Sequence, residues 1–537
     1  MVQINGTPIF PDIAIGKIRF YQEPQPASPT GQGEALERAR LDEALRETGL
    51  RLAALHEKAL REAGEEEAAI LEIHQMLLED EDFLDAVNGR LAEGSSAEHA
   101  VRQAGEHLAE LFSEMDEYMQ ARAADIRDVA ARLARTLSGA GELELTEPVI
   151  LMAEDLAPSA TIQLDRSMLL GFVTRGGSVN SHTAILSRTL SIPALVQAPI
   201  RPEWDGRPAV LDGTSGVLYV DPDEETLAAM ERAAEELRQR RLRLQALKGQ
   251  QAVTKDGRRI LTYANVGSLY EVQLALENDA EGIGLFRSEF LYLDRNELPS
   301  EEEQYQIYRR TLELMGERKV IVRTLDIGAD KQAEYLHLDA EENPAMGYRA
   351  IRICLDRPDI FRTQLRALLR AGVYGNLSIM YPMIASVDEV LEIRRIVQSV
   401  YDELCGEQIP CKMVEQGVMI ETPAAAVISD LLAPHVDFFS IGTNDLTQYT
   451  LAADRQNARL ARYSDPHHPA VLRLIRRTVE EGHKAGIWVG ICGELGADLT
   501  LTRQFLEMGV DELSAAPGSV LGLRARVREL DLTEDAP

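Results

Sequence analysis

The sequence predicts a multidomain α/β chain: an α/β domain with an inserted helical bundle, a linker helix, and a C-terminal (β/α)8 TIM barrel. Three observations carry that expectation. A chain of 537 residues is too long for one hydrophobic core and divides into about three or four domains. Apolar residues recur at three- and four-residue spacing between Gly33 and Leu137, flanked on both sides by short strand-like runs. Beyond Val253, strand-like and helical runs alternate, and eight βα units are the rhythm of a closed parallel barrel.

Taken in order, residues 1–22 read as β segments punctuated by Pro11 and Gly16. The helical spacing then runs through Leu50, Leu52, Leu55 and Leu60, through Ile70, Ile73, Leu77 and Leu78, and through Leu108, Leu111 and Met115. Breaks are expected near Gly64 and at Gly94-Ser95-Ser96. Strand-like runs resume at residues 148–152, 169–174, 194–197, 209–212 and 217–220, so the bundle reads as an insertion. The α/β domain is assigned to residues 1–22 and 144–221, the helical insert to 23–143, the linker to 222–251 and the barrel to 252–537. Acids at Asp221, Asp223, Glu224 and Glu225 open the linker helix, and Arg238, Arg240, Arg241, Arg243 and Lys248 close it, a polarity that complements the helix dipole. The barrel strands are expected at residues 260–266, 282–286, 320–325, 377–383, 417–420, 436–441, 488–492 and 512–515.

Lys plus Arg number 56 against 88 Asp plus Glu, a net charge of -32, which disfavours nucleic acid and anionic membranes as partners and favours a basic protein. Acidic runs such as Glu65-Glu66-Glu67 and Glu79-Asp80-Glu81-Asp82 would steer such a partner. The first ten residues lack a positive n-region and no run approaches the ~18 apolar residues of a membrane span, so a cytoplasmic protein is expected. The four cysteines, Cys354, Cys405, Cys411 and Cys492, have no CxxC spacing, which fits reduced thiols. Cys405 and Cys411 flank a turn, and no role is assigned to them. His467-His468 is not a metal pair, because adjacent side chains on an ordered segment diverge.

Small and polar residues lead into His182 and a helix-forming run follows. An imidazole exposed at a helix N-terminus beside free N–H groups, hydroxyls and Arg188 suits a phosphoryl carrier. In the barrel, polar residues fall at strand C-terminal ends: Arg287, Arg323 with Asp326, Glu421, Asn444 with Asp445, and Cys492 with Glu494. Arg287, Arg323, Arg349 and Arg455 offer planar forks for phosphate and carboxylate oxygens, pointing to a small polyanion. Glu421 and Asp445 give the sparse oxygen ligation that Mg2+ favours. Cys492, a thiol at neutral pH, is a proton donor suited to an enolate carbon.

These residues lie in longer matches. Gly177-Ser178-Val179-Asn180-Ser181-His182-Thr183-Ala184-Ile185, Gly284-Leu285-Phe286-Arg287-Ser288-Glu289-Phe290, Arg323-Thr324-Leu325-Asp326-Ile327-Gly328-Ala329-Asp330-Lys331, Glu341-Glu342-Asn343-Pro344, Glu421-Thr422-Pro423-Ala424-Ala425 and Asp437-Phe438-Phe439-Ser440-Ile441-Gly442-Thr443-Asn444-Asp445-Leu446-Thr447-Gln448-Tyr449-Thr450 resemble enzyme I of the bacterial phosphoenolpyruvate:sugar phosphotransferase system. In the insert, His74-Gln75-Met76-Leu77-Leu78-Glu79-Asp80 and Arg122-Ala123-Ala124-Asp125-Ile126-Arg127-Asp128 resemble the same family. The resemblance implies that phosphoenolpyruvate (PEP) binds at the barrel mouth with Mg2+ on Glu421 and Asp445, and that His182 takes the phosphoryl group. Arg287, Arg323, Lys331, Arg349 and Arg455 would hold the substrate with Asn444 assisting, Cys492 would protonate the enolate, and Thr161 and Arg188 would hold phospho-His182. It further implies transfer to the phosphocarrier protein HPr docked on the insert and a homodimer through the barrel. Because His182 has to meet PEP in one domain and a protein acceptor in another, the His domain is expected to swivel between the barrel and the helical insert, with the linker region as hinge. The loop before His182 departs from the commoner family pattern Gly-Gly-Arg-Thr-Ser-His in having no Arg, and Phe10-Pro11-Asp12 replaces the usual Ser-Pro-Gly.

A PEP synthase or pyruvate phosphate dikinase would need an ATP-binding domain ahead of the histidine, and no Gly-rich nucleotide loop precedes His182. A non-catalytic PEP sensor would have no need of the nucleophile and the acid together.

Overall fold

The computed structural model describes residues 1–21, 29–62, 65–113, 117–139, 145, 147–154, 168–177, 184, 187, 192–293, 295, 297–328, 334–339, 341–455 and 457–533. The chain divides into two compact units, Met1–Arg240 and Arg241–Pro537.

The first unit is built on a mixed sheet of β1 (Val2–Asn5), β2 (Thr7–Pro8), β3 (Ile13–Tyr21), β4 (Val149–Ala153), β5 (Leu169–Thr174), β6 (Ala194–Val196), β7 (Pro208–Asp212) and β8 (Val217–Val220). Its order is β1-β8-β7-β3-β4-β5-β6-β2. The neighbours β3, β4, β5 and β6 run parallel, and the outer pairings are antiparallel. Every residue of β4 is buried, as expected for a central strand covered on both faces. Ile150 and Met152 enter one apolar cluster, Leu151 and Ala153 the other.

Five helices fill the connection between β3 and β4: α1 (Glu34–Glu62), α2 (Glu65–Leu78), α3 (Glu81–Ala92), α4 (Ala97–Ser113) and α5 (Glu117–Leu137). Their core differs in part from the leucine spacing. Leu52 and Leu78 are buried, but Leu50 is 69% exposed and Leu111 faces outward. A small-residue stripe, Ala97, Ala100, Val101 and Ala104 on α4 against Val129, Ala130 and Leu133 on α5, carries the packing instead. A Cβ on Gly105 would stand 2.4 Å from Ala130 Cβ, so glycine there sets how closely the two helices approach. The break at residues 94–96 is present, and a further one falls at Asp80. The Asp80 carboxylate accepts from the Phe83 amide at 3.0 Å and so starts α3, giving one member of the acidic run a capping role. Arg135 near the end of α5 hydrogen-bonds the Tyr21 hydroxyl at the end of β3, joining bundle to sheet. Helix α6 (Glu224–Gln245) begins where Asp223 accepts from the Thr226 amide at 2.9 Å and buries none of its residues.

The second unit is a closed parallel barrel of β9 (Leu261–Val266), β10 (Gly282–Arg287), β11 (Lys319–Arg323), β12 (Asn376–Tyr381), β13 (Glu415–Ile420), β14 (Phe438–Ile441), β15 (Trp488–Ile491) and β16 (Glu512–Ala515), with β16 pairing β9. Ser-x-x-Glu signatures start the intervening helices: Ser300 with Glu303 and Ser386 with Glu389 form reciprocal capping boxes. Alternate strand residues face outward into a core with the helices, among them Val320, Val322, Val418, Ile420, Phe439, Ile441, Val489 and Ile491. The interior is closed by Leu285, Ile321, Met380, Met419, Phe438 and Cys492. Phe438 stacks on Trp488 with ring centroids 4.7 Å apart, and Gly417 makes room for it, since a Cβ there would lie 2.5 Å from the Phe438 ring. Among the described residues, no helix is long and apolar enough to cross a membrane.

Arg524, fully buried, ties the start of the barrel to its last helix by binding Asp279 and the Leu247 carbonyl. Removing one partner of a buried ion pair strands the other, so Arg524→Ala is expected to destabilise the barrel by about 3 kcal/mol, read by urea unfolding. A variant with the wild-type midpoint would show that Arg524 carries no such load.

Candidate active site

A cavity of about 940 Å3 opens at the C-terminal ends of the barrel strands. Of the residues expected there, Arg287, Arg323, Arg349, Glu421, Asn444, Asp445, Arg455 and Cys492 all line it. Lys331 lies outside the described residues, as do His182, Thr161 and Arg188. Arg287 and Arg323 end β10 and β11. Glu421 follows β13, Asn444 and Asp445 stand in the first turn of the helix after β14, and Cys492 follows β15.

The guanidinium groups are organised by carboxylates. Asp326 receives Arg323 Nη1 on Oδ2 at 2.9 Å and Arg349 Nη2 on Oδ1 at 2.8 Å. Arg323 also bonds Glu289, and Arg349 Nη1 reaches the Tyr449 hydroxyl at 3.4 Å. Burial opposes the charge of both arginines, but the surrounding carboxylates hold both guanidinium groups above their ordinary range. Arg349 Nη2 and Arg455 Nη2 approach the two oxygens of Asp445 at 3.8 and 3.7 Å. The side chain of Arg455 is about half exposed, and Arg287 is exposed.

Glu421 is 1% exposed and accepts from the Met383 amide at 2.6 Å. Burial first, then the carboxylates of Asp445 and Asp326, push its carboxyl up to about 8, against the pull of Arg323 and the Met383 amide. Asp445 Oδ1 is buried and has no hydrogen-bond partner. Among the described residues no group of three or more His, Cys, Asp or Glu side chains could hold a metal by itself. Two crowded carboxylates with an orphaned oxygen instead fit a small hard cation that completes its shell from water and substrate oxygens, as Mg2+ does.

Cys492 forms part of the apolar barrel interior and reaches the cavity, and its Sγ lies 3.7 Å from the Ile441 carbonyl. Burial pushes its thiol up to about 12, with Ser440 opposing and Glu512 reinforcing the shift. The Asn265 amide group donates to the Cys492 carbonyl at 2.8 Å, and Asn444 exchanges hydrogen bonds with Glu494, both 3.1 Å.

Asn265, Glu289 and Tyr449 were not singled out as site residues from the sequence. Asn265 sits near the end of β9, where the strand-end rule would have found it. Glu289 and Tyr449 come from helical segments beyond the strands, where no comparable rule points. Backbone strain also gathers here. Of the non-glycine residues with positive φ among the described residues, Ala350 (54°) follows Arg349, Met383 (58°) presents its amide to Glu421, and Ala452 (52°) lines the cavity.

Three family descriptions match the chain: the N-terminal region of PEP-utilising enzymes over residues 5–122, their mobile domain over 145–216 and their PEP-binding domain over 241–532. The phosphoenolpyruvate-protein phosphotransferase of Priestia megaterium is 42% identical, with 100% of this chain and 95% of that protein covered. Those of Bacillus subtilis and Staphylococcus carnosus are 42% and 39% identical, each with 99% of this chain and 95% of the relative covered. The chain, with its PEP-binding barrel and mobile domain, thus belongs to the phosphoenolpyruvate-protein phosphotransferase family, enzyme I.

Proposed function

We propose that the chain transfers the phosphoryl group of PEP to its own His182, releases pyruvate, and passes the group to a histidine of HPr as the first step of sugar uptake. The observation that carries the reading is the convergence of four arginines, the carboxylates of Glu421 and Asp445 and the buried thiol of Cys492 on one cavity. Phosphoryl transfer asks for in-line positioning and charge neutralisation more than covalent machinery, and the mouth is equipped for both.

In this reading Arg287, Arg323, Arg349 and Arg455, with Lys331, bind the phosphate and carboxylate of PEP, and Asn444 adds a hydrogen bond. Glu421 and Asp445 would hold Mg2+, which when bound supplies charge neutralisation at the phosphate. His182 attacks phosphorus, and Thr161 and Arg188 steady the phosphohistidine. The electrons of the broken ester bond pass to the enolate, whose terminal carbon takes the proton of Cys492 to give pyruvate. The swivelling of the His domain, HPr docking on α1 to α5, a homodimer through the barrel and a cytoplasmic setting complete the proposal.

Incubation with PEP and Mg2+ is expected to release pyruvate and leave an acid-labile phosphoryl group on the chain, and His182→Ala to abolish both. Pyruvate formed equally well by that variant would remove His182 from the reaction. Arg349→Lys keeps the charge but loses the fork on Asp326, so kcat/KM for PEP is expected to fall about 100-fold. A change of less than about threefold would show that the fork is not used. A thiol pushed up to about 12 stays protonated at pH 8, so native Cys492 is expected to resist iodoacetamide there and to label only after unfolding. Rapid labelling of the native protein would contradict its role as a stored proton.

A further inference from the structure

Cys405 and Cys411 are free thiols that the proposed chemistry does not use. Cys405 stands in the last turn of the helix Val387–Gly406, and Cys411 lies just before β13. The turn between them is well fastened. The Gln408 amide donates to the Cys405 carbonyl at 3.1 Å and the Ile409 amide to Leu404 at 2.9 Å, while Gln408 takes a left-handed φ of 59°. Beyond the turn, the Lys412 amide donates to the Leu369 carbonyl at 3.0 Å, anchoring the returning chain to the neighbouring helix Pro358–Ala371. The two Sγ atoms are thereby held 3.7 Å apart, about 1.7 Å beyond the length of an S–S bond. Cys405 is exposed and Cys411 partly so, whereas Cys354 and Cys492 are buried. The pair sits at the N-terminal end of β13, the opposite end of that strand from Glu421.

We propose that Cys405 and Cys411 form a thiol–disulfide exchange site, at which a small-molecule disulfide oxidises the pair to an intramolecular disulfide. The exposed Cys405 thiolate attacks one sulfur of the reagent, forming a mixed disulfide and expelling one reagent thiolate. The Cys411 thiolate then attacks Cys405 Sγ, forming the protein disulfide and expelling the second. Two protein thiols are oxidised, the reagent disulfide is reduced to two thiols, and the two protons pass to the expelled thiolates through water. The site is independent of the phosphotransfer reading. Burial and the adjoining Cys405 thiol push Cys411 up to about 11, so ring closure quickens as pH rises toward that value.

The full chain is incubated with oxidised glutathione at pH 7 and pH 9, the remaining thiols are alkylated, and unreduced peptides are analysed by mass spectrometry. The expected product joins Cys405 to Cys411, is lighter by two hydrogens than the dithiol and retains no glutathione. Its formation is expected to be faster at pH 9 than at pH 7, because both attacks need a thiolate. Cys411→Ser is expected to stop at a glutathione adduct on Cys405, with Cys354 and Cys492 unmodified. A lasting adduct on wild-type Cys405 at both pH values, an unreacted Cys405, or a bond to a second chain would each overturn the proposal.

Discussion

Asp326 shares one carboxylate between two arginines, and much of the geometry at the barrel mouth depends on that sharing. A guanidinium withdrawn from water is tolerated when its charge is met and its donors are directed, and a planar fork can be directed from one side while staying available on the other. Arg323 reaches Asp326 from the end of a strand and Arg349 from a loop, so the shared oxygens fix two independent backbone segments against each other. Glu289 and Tyr449 limit the remaining rotation of the two side chains. The acids serve to aim the bases, and the arginine forks of Arg323 and Arg349 are held in place at the cavity.

The barrel was legible because its signal is redundant. Eight apolar runs, five of them leading into polar residues, can be satisfied together by few arrangements, and Arg287, Arg323, Glu421, Asp445 and Cys492 follow from the strand ends alone. The bundle was less legible in detail. Helical spacing predicted helices, but it does not say which stripe faces the neighbour. Leu50 lies on the wrong side of α1, and the contact between α4 and α5 rests on alanines and a glycine that carry little hydrophobic signal. Asn265 was missed for want of charge, and Glu289 and Tyr449 because they approach the mouth from outside the strand pattern. The closeness of Cys405 to Cys411 depends on a left-handed residue and on a hydrogen bond to a helix more than forty residues earlier, neither of which their spacing encodes.

The strained residues at the mouth show how the surrounding packing is used. A left-handed alanine or methionine costs on the order of 1–3 kcal/mol and persists only where its neighbours leave no alternative. Met383 and Ala350 are buried in the continuous core between strands and helices, which supplies that constraint. The gain is positional: the Met383 amide is turned onto Glu421, and Arg349 is delivered to Asp326 instead of continuing along the chain.

The five helices occupy a connection between two strands that lie side by side and point the same way. A parallel pair needs a crossover of some kind, and the sheet is indifferent to its length as long as the two ends return to the same place. That makes the bundle a cassette. Evolution could enlarge, trim or exchange it without altering the register of β3 on β4, and a protein engineer could graft a different recognition module at the same two junctions.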